Sequence, residues 1–330
     1  MNIAFLGDVM LGRLVNDALV ERAPEYPWGD TLALLLRADA RVCNLECAIS
    51  DDGRPWSATP KEFHFRSDSK NVSTLLAAGV SLVSLANNHA LDFGYEGLAD
   101  TVDILDRSGI KHAGAGSSLR EAEMAAILEV RGTKVGMIAF TDNEPGWEAA
   151  PDRPGTFYVP VEFEDARAMR LHDLVSKAKT EVDIMVVSAH WGPNWGYAPP
   201  TDHVRFAHAL VEAGADVIFG HSGHVFRGIE VYKNRPIIYC AGNFVDDYAV
   251  DFVERNDESF AFMLEADRDT VSGLRLYPTT IKGCQAGRAR GSQGRAIAEK
   301  MQRLCARFDT ETRWEEEPCC LEVVLARPDY

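Results

Sequence analysis

The stretch SLVSLANNHALDFGYEG, residues 81–97, decides how this chain is read. Residues 80–87 form a short apolar run with the length of a buried strand, and the run stops abruptly at Asn87, Asn88 and His89, with Asp92 three residues on. An amphipathic helical segment follows over 95–109 and closes at Gly109. A core has no use for these polar side chains. The carboxyl end of a strand in an α/β sheet does, because that edge is where ligands bind.

The same pattern recurs on both sides of this stretch. Strands are expected at 2–8, ending in Gly7-Asp8, and at 40–46, ending in Asn44-Leu45-Glu46. Helical periodicity falls at 31–39 and 67–79. Residues 127–141 read as two strands around a Gly132-Thr133 turn. A Pro-rich loop at 145–160 is expected as an insertion over the site. A helix at 163–180 then leads to a strand at 183–189, followed by His190. A helix at 202–214 leads to a strand at 216–220, followed by His221-Ser222-Gly223-His224. Beyond 225 the texture changes to short strands with hairpin turns, a helix at 292–307 and a last strand at 320–326. No repeat or linker interrupts the chain, so it reads as a single domain over 1–330, with two sheets face to face and helices outside.

Composition narrows the class. The 330 residues are 46% hydrophobic, enough for a large core, and carry 50 acidic against 34 basic residues for a net charge of −16. No basic stripe appears, which argues against a nucleic-acid partner. The seven cysteines form no C-x-x-C pair and suggest reduced thiols. With no leader pattern and no long apolar run, the expectation is a cytoplasmic protein without a membrane anchor. Oligomeric state is left open.

If the strand ends share one edge, Asp8, Glu46, Asn88, His190, His221 and His224 converge across more than two hundred residues. Carboxylate, amide oxygen and imidazole without thiolate suit manganese, iron, zinc or magnesium. The expectation is a centre of two divalent ions with Glu46 bridging them. His89 follows a ligand and points towards substrate, and Asp92 holds one ring nitrogen. That pairing is what a general acid/base requires.

At these residues a family becomes recognisable. GDVMLGR (7–13), NLE (44–46), LANNHALDFG (85–94), HWG (190–192), GHSGHV (220–225) and PIIYCAGNFV (236–245) resemble the CapA (PgsA) poly-gamma-glutamate synthesis family of the calcineurin-like metallophosphoesterase superfamily. The likeness spans about residues 1–250, and residues 251–330 are expected to complete the sandwich. It implies a four-layer α/β/β/α sandwich and a binuclear centre held by the six residues above, with His89 as catalytic acid/base. Two motifs depart from the superfamily or family pattern. Met10 stands where superfamily phosphoesterases have a histidine, and GHSGH replaces the GHHPH of the family. His221 and His224 are therefore assigned on spacing, and a single ion is the alternative to two.

Aromatic residues near these motifs (Trp28, Trp191, Trp195 and Tyr197) suggest an apolar platform for substrate. Asn243 is placed beside them, and Arg13 can meet a carboxylate or phosphate. The expected substrate is a peptide-like or anionic small molecule. Three functions stay open: hydrolysis of a phosphoester or amide, acid/base epimerisation at a peptide α-carbon, and a non-catalytic polymer-binding scaffold. The basic Gly-rich segment around 283–296 is expected as a loop leading into a helix.

Overall fold

The structure is a computed structural model that describes residues 1–325. The first half of the chain lays down four parallel strands: β1 (Asn2–Val9), β2 (Ala40–Leu45), β3 (Leu82–Ser84) and β4 (Lys111–Ala113). Between them run α1 (Arg13–Glu21), α2 (Val72–Ala77) and α3 (Gly94–Arg107). The segment read as helix at 31–39 keeps only one α-turn, Leu32–Leu35, after a 3₁₀ stretch. Gly79 and Gly109 terminate their helices with φ of 65° and 71°, where a side chain would be strained.

A second sheet follows. Its strands are β5 (Ala126–Val130), β6 (Thr133–Thr141), β7 (Ile184–His190), β8 (Val217–His221), β9 (Ile229–Tyr232) and β10 (Arg235–Ile238), in spatial order β9-β10-β8-β7-β6-β5. Helices α4 (Ala166–Lys179) and α5 (Thr201–Glu212) supply its crossovers. The chain then returns to the first sheet with β11 (Asn243–Val245), β12 (Glu258–Asp267), β13 (Thr270–Ile281) and β14 (Ala286–Arg288). After α6 (Gly291–Cys305), β15 (Thr312–Glu315) and β16 (Cys320–Val323) complete that sheet, so its order is β15-β16-β13-β12-β1-β2-β3-β4, with β11 on β1 and β14 on β13. The end of the last expected strand, Ala326, lies outside the described residues.

Strand alternation explains the layering. Ile3 and Phe5 of β1 join Val42, Ile184, Val186 and Phe219 in the core between the sheets, with α6 at its margin. Ala4 and Leu6 face the other way, into a core shared with α1 and α3. On the second sheet Met185 and Val187 point outward beneath α4 and α5. Neighbours along a strand serve opposite faces, and the result is a four-layer α/β/β/α sandwich.

The Pro-rich loop departs from its expected place. Its first neighbour, Glu144, borders the cleft, but Gly155 and Thr156 pair with Gly116 and Ala115, and Trp147 is buried. The basic segment around 283–296 is ordered elsewhere: Arg290 pairs with Asp30 at 2.6 Å, and the Arg288 backbone donates to the same carboxylate. All seven cysteines are unpaired.

Candidate metal centre

Register brings the polar residues together. Asp8 on β1 lies beside Asn44 on β2 and Asn243 on β11, while His190 on β7 is the Cα partner of His221 on β8. The β1 register shifts at Gly7, where a Cβ would lie 1.7 Å from the Gly242 carbonyl oxygen. Only glycine lets the two backbones approach there, and that approach sets Asp8 at the site.

Two groups of ligand-type atoms result, Asp8 with His190 and His221, and Asp8 with Glu46 and His224. Within each group the atoms lie no more than 4.8 Å apart. Asp8 is the shared carboxylate, where the sequence reading gave the bridge to Glu46. Asn88 joins through Oδ1, 2.9 Å from His190 Nε2. The donor set fits a divalent cation. Glu46 Oε1 and Oε2 and Asp8 Oδ2 are buried without a hydrogen-bond partner, a cost a protein tolerates where a cation balances it.

Electrostatics and neighbours prepare these atoms. Burial raises the Asp8 carboxyl, and burial with the adjacent Asp8 charge pushes Glu46 well up. Burial also holds His221 down to about 3 and His190 well below its ordinary range, so both rings are neutral with a free lone pair. Ser188 Oγ meets His221 Nε2 at 2.8 Å, leaving Nδ1 to face His190 Nδ1 at the same separation. His224 Nδ1 donates to Asn243 Oδ1 at 3.0 Å, which leaves Nε2 for the centre. Partners of this kind fix the tautomer of a ligating histidine. Asn243 thus supports His224 and does not face the cleft.

The sequence reading missed two asparagines. Asn44 Nδ2 donates to Asp8 Oδ1 at 2.7 Å, and Asn44 Oδ1 accepts from Asn87 Nδ2 at 2.9 Å. Both belong to the strand-end motifs already noted, so that pattern carried the signal.

Beside the carboxylates stands the His89–Asp92 pair. His89 Nδ1 is 2.6 Å from Asp92 Oδ2, and its Nε2 lies 3.9 Å from Glu46 Oε1. Burial lowers the His89 pKa despite the Asp92 charge. The imidazole stacks on Phe65, ring centroids 4.0 Å apart. Asp92 also accepts the Phe65 N–H at 2.6 Å and faces Lys61 Nζ at 3.3 Å. Lys61 is nearly buried, donates to the Asn88 carbonyl at 2.6 Å and sits over the Trp147 ring. It belongs to an irregular loop that gave no sequence signal.

This pair opens onto a cleft of ≈ 630 Å³ bordered by Arg13, Lys61, Phe63, Phe65, Trp195 and Tyr248, with Asn88, His89 and His224. Arg13 reaches it with its guanidinium over Phe65 and its Nε 3.2 Å from Asp247. Two expected platform residues are elsewhere. Trp28 and Trp191 are fully buried, and their indole N–H groups donate to the Thr74 and Tyr239 carbonyls. Tyr197 binds Glu254 and Lys300 through its hydroxyl and packs on Phe226 behind the cleft wall. Of the four rings only Trp195, 40% exposed, borders the cleft.

Fold and centre together define a protein of the calcineurin-like metallophosphoesterase type. The chain belongs to the bacterial capsule synthesis protein PGA_cap family, whose model matches residues 2–248. It is 36% identical over 297 residues to a probable polyglutamine synthesis accessory protein of Mycobacterium tuberculosis, covering 86% of this chain and 77% of that one. It is 30% identical over 249 residues to the PGA biosynthesis protein CapA of Bacillus subtilis, covering 75% and 63%. The crystal structure of a hypothetical protein from Thermus thermophilus shares the fold, with a TM-score of 0.50, 16% identity, and coverage of 86% of this chain and 100% of that one. Among the described residues no helix is long and apolar enough to cross a membrane.

Proposed function

We propose that this chain is a metal-dependent enzyme that hydrolyses a phosphoester or amide bond in a peptide-like, anionic substrate, as a single domain. The observation that carries the reading is His89, with Nδ1 held by Asp92 at 2.6 Å and Nε2 turned towards Glu46. A polymer-binding surface has no need of an oriented imidazole. Asp8, Glu46, Asn88, His190, His221 and His224 would hold two divalent ions, which supply Lewis acidity and make a water molecule more acidic.

The chain's own groups do the rest. In its neutral form His89 keeps its proton on Nδ1, against Asp92, and presents the Nε2 lone pair. It can take a proton from the attacking water and hand it to the leaving atom, as a general base and then a general acid. Arg13, at the cleft border, meets the negative charge of the substrate. The names of the relatives, which concern polyglutamine, capsule and PGA synthesis, support a peptide-like substrate.

A neutral Nε2 beside aromatic walls also favours a second reading, proton abstraction at a peptide α-carbon. Metal content, followed by a panel of phosphoesters and peptides in deuterium oxide, tests both. Hydrolysis releases two products. Epimerisation adds deuterium without cleavage. Loss of either activity in His89→Ala with metal retained is expected. Binding without turnover in the wild type would leave the scaffold reading in place of both.

A further inference from the structure

Tyr248 follows β11 by three residues and was not among the residues picked out from the sequence. Its ring lies edge-on to His224, centroids 5.3 Å apart and planes at 84°, and 5.7 Å from the ring of Phe65. Phe65 is the ring on which His89 stacks. The Tyr248 backbone N–H is tied to Asp246 Oδ1 at 3.0 Å, which fixes where the side chain starts. The residue borders the cleft, and its hydroxyl is buried with no hydrogen-bond partner in the protein. Buried hydroxyls are almost always bonded, and leaving one unmet is costly.

We propose that Tyr248 is a catalytic residue whose hydroxyl donates a hydrogen bond to the anionic oxygen of the substrate. The ligand class is an oxyanion, phosphoryl or carboxyl, seated between His89 and His224. The inference rests on the metal-dependent reading above and deepens it. A phenol is protonated at neutral pH, so it meets an oxyanion as a donor. Phe65 touches both rings and holds the two proton-bearing groups in one cleft. A donor placed in advance where charge collects acts by electrostatic stabilisation and needs no rearrangement during the reaction.

Tyr248→Phe removes one oxygen and keeps the contacts with Phe65 and His224. The probe is inorganic phosphate, titrated calorimetrically into manganese-loaded wild type, Tyr248→Phe and a control, Tyr277→Phe, whose ring is packed away from the cleft. Metal per chain is measured on the same samples. The expected result is unchanged metal in all three, with phosphate affinity about ten- to a hundredfold weaker in Tyr248→Phe alone, the range for a hydrogen bond to a charged group. Equal phosphate affinity with metal retained overturns this inference and leaves the metal reading standing. Wild type that holds metal but no phosphate overturns it as well. Absence of metal from the wild type overturns the reading itself, and this inference with it. Failure of Tyr248→Phe to fold would show that the hydroxyl serves the structure, against the proposal.

Discussion

The buried carboxylates make a prediction in which stability and metal binding move in opposite directions. Glu46 is 1% exposed, neither of its oxygens has a hydrogen-bond partner, and Asp8 Oδ2 beside it is equally bare. Without metal, Asp8, Asp246 and Asp92 all oppose the Glu46 charge. Glu46→Gln removes that charge at nearly constant volume and supplies an amide N–H able to reach Asp8. An unmet buried polar group costs about 1–3 kcal/mol, and more when charged, so the metal-free variant should be more stable than wild type by at least about 1 kcal/mol at pH 8. The sign follows from linkage. The folded-state pKa of Glu46 is raised, so its contribution to stability is complete below the unfolded value of 4.5 and is lost as pH rises through the folded one. The gap between variant and wild type should therefore widen from pH 5 to pH 8. Manganese should reverse the order. At a hundred times its dissociation constant an ion adds about 2.7 kcal/mol to a protein that binds it, and the variant, short of a ligand, should gain little. Urea unfolding with chelator and with manganese reads all four states. If chelated Glu46→Gln is less stable than chelated wild type, the carboxylate serves the fold, and the argument for a site held ready for a cation fails.

The remaining predictions address the neighbours of that pair. Lys61→Met should destabilise by about 3–5 kcal/mol, because it leaves Asp92 buried without its cation; Lys61→Arg should recover part of this, and equal thermal unfolding of Met variant and wild type would refute it. Burial and the Asp8 charge raise the Glu46 carboxyl, so a metal ion there competes with a proton as pH falls. Apparent manganese affinity, followed by competition with a chromogenic chelator, should therefore fall by up to about tenfold per unit of pH lowered below neutrality for each proton released. A flat profile from pH 8 to 6 would contradict it. Trp191→Ala should cost about 3–5 kcal/mol as a buried large-to-small change, whereas Trp195→Ala should stay within about 0.5 kcal/mol and weaken ligand binding at the cleft. Urea midpoints with phosphate titrations separate the two, and the reverse pattern would restore Trp191 to the cleft.

What could be read from the sequence followed strand periodicity. Two strands that each end in histidine, paired in parallel, place His190 beside His221 whatever the loops do. The same logic, applied one residue further, would have corrected the aromatic platform. His190 points to the site, so Trp191 must turn to the opposite face, beneath α5, where it packs on Phe140 and His203. Proximity in sequence to a ligand was the wrong guide at that position. Lys61, Phe65 and Tyr248 were not legible, because they reach the cleft from irregular segments positioned by tertiary contacts. The loop carrying Lys61 is held by Trp56 packed against Trp147 and Tyr95, residues about ninety and forty positions away.

The two departures, Met10 from the superfamily pattern and GHSGH from the family one, differ in their local cost. Met10 stands where superfamily phosphoesterases have a histidine, yet its sulfur does not turn to the centre. It is fully buried and accepts the Gly12 N–H at 3.0 Å, helping the chain turn into α1. The loss of one ligand type therefore leaves no gap among Asp8, Glu46 and His224, which are gathered without it. The GHSGH loop is different. Ser222 and His224 both have positive φ, 99° and 57°, conformations that cost non-glycine residues about 1–3 kcal/mol each. A glycine at 224 would relieve the strain and lose the imidazole that Asn243 orients. Strained backbone, bare carboxylates and histidines kept neutral by burial all fall within one small region around Asp8. A fold arranged only for stability would fill that space with apolar side chains, as it does on the far side of the same strands. The concentration of these costs at the strand ends argues that the chain is shaped there by what it binds.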